Sequence, residues 1–123
     1  MAKDGFLERA EGFLRTARSA VENGDWPQAY ENARTACELA AKELLARKAV
    51  PATGKEHNVT SQLVQAGLWP GGDVGKRLSR FMGDHTRGIY GIVEPVTRAE
   101  AERGCRMAED LINKVRKHGQ PPA

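Results

Sequence analysis

Phe6, Leu7, Ala10, Phe13, Leu14, Ala17, Ala20 and Val21 recur at steps of three and four residues, which is the spacing that gathers side chains on one face of a helix. Asp4 can cap the start of this segment, and the "ENGD" run at 22–25 supplies an Asn-Gly pair that tolerates the left-handed conformation of a helix stop. A second helix is expected to follow at once, with Asp25 as N-cap and Pro27 in the first turn, where its missing N–H costs nothing. Its stripe of Ala29, Ala33, Ala36, Cys37, Ala40, Ala41, Leu44 and Leu45 is rich in alanine, so a neighbouring helix can approach closely and pair with it antiparallel.

Pro51 and Gly54 interrupt the pattern in "KAVPATGKEHN", which reads as a connection. A short third helix is expected over 59–66 with Val59, Leu63 and Val64 inward. A fourth is expected to begin near Asp73 and to carry Val74, Leu78, Phe81, Met82 and Ile89 inward. Thr97 followed by Glu100 is a capping box, and it opens a last helix through Ala101, Cys105, Ala108, Leu111, Ile112 and Val115. Strand-like alternation is absent, so the expectation is an all-α, up-and-down four-helix bundle with one additional short helix. The 123 residues suit a single domain, with its core over about 6–117 and a mobile tail over 118–123.

A hydrophobic share of 40% and a charged share of 28% are those of a soluble globular chain. No apolar run approaches the roughly 20 residues of a membrane span, and the acidic residues of "MAKDGFLERAEGF" do not suit a signal peptide, so a cytoplasmic protein without a membrane role is expected. Cys37 and Cys105 fall on apolar stripes without C-x-x-C spacing, which points to reduced, packed thiols and to no metal site. The net charge of +3 leans mildly toward acidic partners. "GGDVGK" at 71–76 has neither the spacing of a phosphate loop nor a strand before it.

The segment with chemical potential is "RFMGDH" at 80–85. A histidine titrates near neutrality and can move the proton of a 2′-hydroxyl or a leaving oxygen, while an arginine can hold a phosphate and stabilise its developing charge. In this reading Arg80 is the phosphate clamp, His85 the general acid or base and Asp84 an orienting partner, and no cofactor is required. Helix phase gives the opposing reading. Arg80 and His85 lie about 140° apart on an unbroken helix, so that His85 joins the buried stripe and Arg80 faces solvent, free to pair with Asp84. A break at Gly83 or Gly88, or a second subunit that completes the cleft, would reconcile the two.

Lys76, Arg77, Arg80 and Arg87 form a basic cluster that either tracks a nucleic-acid backbone or is simply solvated. His57 reads as a capping or loop residue, Trp26 and Trp69 as packing anchors, and His118 as part of the tail.

"GDWPQAYENARTACELAAKELLARKAV" resembles the second helix of HEPN domains, His57 sits where a loop histidine opens their next helix, "KRLSRFMGDHTRGIYG" resembles their fourth-helix segment, and "VTRAEAERGCRMAEDLINKV" resembles their closing helix. The resemblance covers about 6–117. It implies a helical bundle, commonly a homodimer, in which many members are metal-independent ribonucleases whose Arg-x4-6-His motifs from two subunits meet in a cleft. It also implies a possible RNA substrate and a possible nucleotidyltransferase-type antitoxin partner. Other members are noncatalytic or bind nucleotides.

Active members usually place Asn, Asp or His after the arginine, where this chain has Phe81. A second register is also open. "HTRGIYG" fits the R-x-x-A-D-Y-G ending of a noncatalytic-looking branch, with His85 at the arginine and Tyr90 at the tyrosine, so that Tyr90 replaces the catalytic histidine. Modification at a tyrosine two residues after the histidine is not implied, because Arg87 stands there. Two functions therefore remain open: a ribonuclease acting through Arg80 and His85, and a noncatalytic module for dimerisation and for binding a partner protein or nucleotide.

Overall fold

A computed structural model describes residues 5–50, 56–83 and 95–118. They form five helices: α1 (Gly5–Glu22), α2 (Trp26–Arg47), α3 (Glu56–Gln65), α4 (Gly72–Gly83) and α5 (Arg98–Lys117). No strand occurs among the described residues, and none of these helices is long and apolar enough to cross a membrane. The fold class is all-α.

α1 and α2 are joined by three residues because the stop signal does what its chemistry predicts. Gly24 has φ +76°, its N–H bonds Val21 O at 3.1 Å, and Asp25 N bonds Ala20 O at 2.9 Å, which is a Schellman cap. Asp25 then caps α2 by accepting from Gln28 N at 3.4 Å, so the two helices run antiparallel. The same geometry recurs at the end of α3, where Gly67 N bonds Val64 O at 3.0 Å and Leu68 N bonds Leu63 O at 2.9 Å. It recurs again after α2, where Ala49 N bonds Ala46 O at 3.0 Å, Val50 N bonds Leu45 O at 2.9 Å, and Ala49, not a glycine, takes φ +57°.

The centre of the molecule is the triad of α1, α2 and α5, each in contact with the other two. Every residue of the expected α2 stripe is buried, as is every residue of the expected α5 stripe. Five alanines of α2, at 29, 33, 36, 40 and 41, have no exposed surface, so the neighbours' side chains sit directly on its backbone. The capping box at Thr97 and Glu100 is complete. α3 and α4 pack on one another and on α2, and form a shorter layer beside the triad.

The expectations need two adjustments. α3 begins at Glu56, three residues before Val59, so the connection after α2 is shorter than the Pro and Gly residues suggest. α4 is described over 12 residues, and the rest of the expected fourth-helix segment lies outside the described residues. Phe6 and Val74 are phased with buried neighbours yet are 40% and 39% exposed, because each lies in a first turn and phase does not tell how far adjoining helices reach. Asp4 and Ile89 lie outside the described residues.

Two buried arginines of α2 tie the ends of other helices. Arg47 pairs with Glu43 at 2.8 Å and donates to Val115 O at 2.9 Å in the last turn of α5. Arg34 pairs with Glu31 at 2.8 Å and donates to Met82 O at 2.9 Å in the last turn of α4. In each case a guanidinium meets carbonyls left open at the negative end of a helix, while a carboxylate one turn earlier on α2 offsets its charge.

Candidate anion-binding groove

α4 is amphipathic in the way its sequence demands. Gly75, Leu78, Phe81 and Met82 face inward, and Lys76, Arg77 and Arg80 fall on the exposed side. None of these three cations makes an ion pair or side-chain hydrogen bond among the described residues. Helix phase therefore holds for Arg80, which points away from the buried stripe. Asp84, His85, Arg87 and Tyr90 lie outside the described residues, as does the separation of Arg80 from His85. His57 opens the second residue of α3, and His118 is the C-cap of α5, its N–H bonded to Lys114 O at 3.1 Å.

The exposed side of α4 looks across an open groove of about 1180 Å³ at α5. A close contact joins the helices there. Gly104 has no side chain, and a Cβ at that position would lie 2.8 Å from Phe81 Cζ, so the ring of Phe81 rests on the bare backbone of α5. The other side of that ring meets Tyr30 edge to face, with centroids 4.9 Å apart. The aromatic wedge is therefore the floor of the groove, and the positions on either side of it are walls.

The α5 wall brings two residues that the sequence reading did not single out. Arg103 and Arg106 line the groove opposite Lys76, Arg77 and Arg80. Both are exposed and neither makes an ion pair among the described residues. Elsewhere on the same helix the arginines are engaged: Arg98 pairs with Glu102 at 3.5 Å, and Arg116 pairs with Glu11 of α1. A sequence signal did exist, since two arginines three apart flank a glycine within an otherwise apolar stripe, the mark of a close approach beside a charged face.

Five cations thus line one groove with two carboxylates, Glu100 and Asp110. Glu100 is held by the capping box, where it accepts from Thr97 N at 3.1 Å. The carboxylates stand at either end of the α5 wall with the arginines between them, roughly 15 Å apart at 1.5 Å per residue. The apolar part of the groove comprises exposed Val74, half-buried Met107 and the edges of the aromatic rings. A clustered positive field over a concave, partly apolar surface concentrates phosphate-bearing ligands. No cluster of three or more potential metal ligands occurs among the described residues.

Cys37 and Cys105 are free and buried. Burial pushes both thiols above their ordinary pKa, and Cys37 the further, so neither has the thiolate character of a nucleophile.

No curated protein matches this chain. A family model, that of the HEPN domain, matches residues 4–118, which takes in all five helices and both walls of the groove. The chain belongs to the HEPN domain family.

Proposed function

We propose that this HEPN protein is a metal-independent ribonuclease in which Arg80 clamps the scissile phosphate, His85 is the general acid or base and Asp84 orients it. The observation that carries the reading is the state of Arg80, which is exposed at the end of α4, free of ion pairs among the described residues, and flanked by Lys76 and Arg77 one turn earlier. A guanidinium so placed is available to an incoming phosphate, and two neighbouring cations raise the local concentration of that ligand. Proton transfer by an imidazole and charge stabilisation by a guanidinium together suffice for attack of a 2′-hydroxyl on its own phosphate. The working unit is a homodimer in which two copies of the motif share one cleft, and a nucleotidyltransferase-type antitoxin is the partner the family suggests.

A second reading has one specific observation in its favour. Phe81, at the position after the arginine, is 6% exposed and built into the core against Tyr30 and Gly104, so no polar side chain there helps to orient a phosphate. On this reading the groove belongs to a noncatalytic module that binds a nucleotide or partner protein, with Tyr90 standing where the catalytic histidine would be.

Purified protein incubated with RNA in chelator separates the two. Cleavage that falls by about 100-fold or more in His85→Ala, with an unchanged melting temperature, is expected for the ribonuclease. Equal cleavage by His85→Ala sinks the role of that residue. RNA left intact by the wild-type protein, together with a lower melting temperature for His85→Ala, is the outcome expected of the noncatalytic module.

A further inference from the structure

We infer that the groove between α4 and α5 is a track for single-stranded RNA, held from both sides, with Arg103 and Arg106 supplying the second row of phosphate contacts. The inference rests on reading this groove as an RNA site, but not on the chemistry assigned to His85.

The charge arrangement argues for a polymer. Lys76 to Arg80 spans about 6 Å along α4, and Arg103 to Arg106 about 4.5 Å along α5. Each row can meet one or two phosphates. A mononucleotide engages one row and leaves the other unpaired, whereas a strand crossing the groove places successive phosphates against both. Glu100 and Asp110, at the ends of the α5 wall, repel a strand that would run along the helix and confine the footprint to a few nucleotides.

The floor argues for a single strand. Beside the aromatic wedge, Val74, 39% exposed, and half-buried Met107 line the same groove as the cations and add to its apolar surface. A duplex presents phosphates and sugars on its outside and keeps its base faces stacked, so it cannot cover this surface. An unpaired strand turns base faces toward an apolar floor while its phosphates reach the rims. The unpaired state of Arg103 and Arg106, on a helix whose Arg98 and Arg116 are both paired, fits side chains held available for a ligand.

The test is fluorescence anisotropy of a labelled 12-nucleotide RNA across a salt series, in a His85→Ala background so that the probe is not consumed. Contact with four phosphates gives a slope of log K against log salt of about −2.8, and R103Q/R106Q is expected to reduce its magnitude by about 1.4 and to weaken binding about tenfold or more at low salt. R9Q/R15Q removes the same charge from exposed positions of α1 and is expected to leave the slope unchanged. The inference is overturned if R103Q/R106Q binds like its parent, if R9Q/R15Q weakens binding as much, or if an RNA duplex or AMP binds as tightly as the single strand. Tight, groove-dependent binding by a protein that never cleaves RNA would uphold this inference while removing the ribonuclease reading.

Discussion

Arg34 Nη1 lies 2.9 Å from the main-chain oxygen of Met82 in the protein interior, so α2 holds the last turn of α4 by a charged hydrogen bond just beyond Arg80. The same guanidinium pairs with Glu31 at 2.8 Å and stands 3.9 Å from Glu38. Its removal leaves a buried carbonyl without this donor and Glu31 without this counter-charge, while Glu38 keeps Lys42 at 3.4 Å. Arg34→Ala is expected to destabilise the fold by about 2–4 kcal/mol, toward the lower side of a fully buried pair because Glu31 and Glu38 retain some solvent. Arg34→Lys should recover part of this, since an ammonium cannot reach the carboxylates and the carbonyl in the same fork. Urea denaturation measures both, and a loss under 0.5 kcal/mol for Arg34→Ala would show that the tie contributes little.

Phe81 of α4 packs directly against the bare backbone of Gly104 on α5. A methyl group at 104 would stand 2.8 Å from Phe81 Cζ and 3.2 Å from Cε1, so the ring must leave its place against Tyr30. Gly104→Ala is expected to cost about 1–3 kcal/mol despite its better helix propensity. Phe81→Leu withdraws the crowded ring edge, so the cost of Gly104→Ala should shrink by about 1 kcal/mol or more in that background. A double-mutant cycle reads this coupling, and strictly additive losses would mean that the ring and the glycine do not constrain each other.

Ala49 adopts in a Schellman cap the left-handed conformation that Gly24 and Gly67 adopt in the other two, with φ of +57° against +76° and +73°. A side chain there costs roughly 1–2 kcal/mol, and a glycine adds back about 0.4–1 kcal/mol of unfolded-chain entropy. Ala49→Gly should therefore stabilise the protein, by about 0.5–1 kcal/mol. Thermal unfolding would register this as a small rise in melting temperature, and a fall would argue against strain at this position.

These relationships differ in how far the sequence discloses them. The stripes of α2 and α5, the Asp25 cap, the Asn-Gly stop and the capping box are local, set by residues within a turn or two, and all appear where their spacing places them. The groove is not local. It depends on how α4 and α5, successive among the described helices, pack through Phe81 resting on Gly104, and no periodicity within either helix reports that pairing. Arg34 and Arg47 are likewise opaque, since a Glu one turn earlier looks the same on an exposed helix as on one that buries the pair. Arg80, Lys76 and Arg77 were legible as a charged face, whereas Arg103 and Arg106 were overshadowed by the core residues between them.

Cys37 links burial to pH. It has no exposed surface, and desolvation of its thiolate, assisted by Cys105, raises the folded-state pKa far above the ordinary value of 9.0. Below about pH 9 the thiol is protonated in both states and contributes no pH dependence. Above it the unfolded chain releases a proton that the folded protein keeps, so the unfolded state binds fewer protons and stability falls as pH rises, by about 1.4 kcal/mol per pH unit for this one group. The contribution is thus fully present below the unfolded pKa and is lost progressively on the way to the folded one. Cys37→Ala should lower stability at pH 7 through its missing sulfur, yet decline less steeply than wild type between pH 9 and pH 10.5. Urea midpoints of both proteins across that range would give the difference in slope, and parallel curves would place Cys37 in an environment that solvates its thiolate.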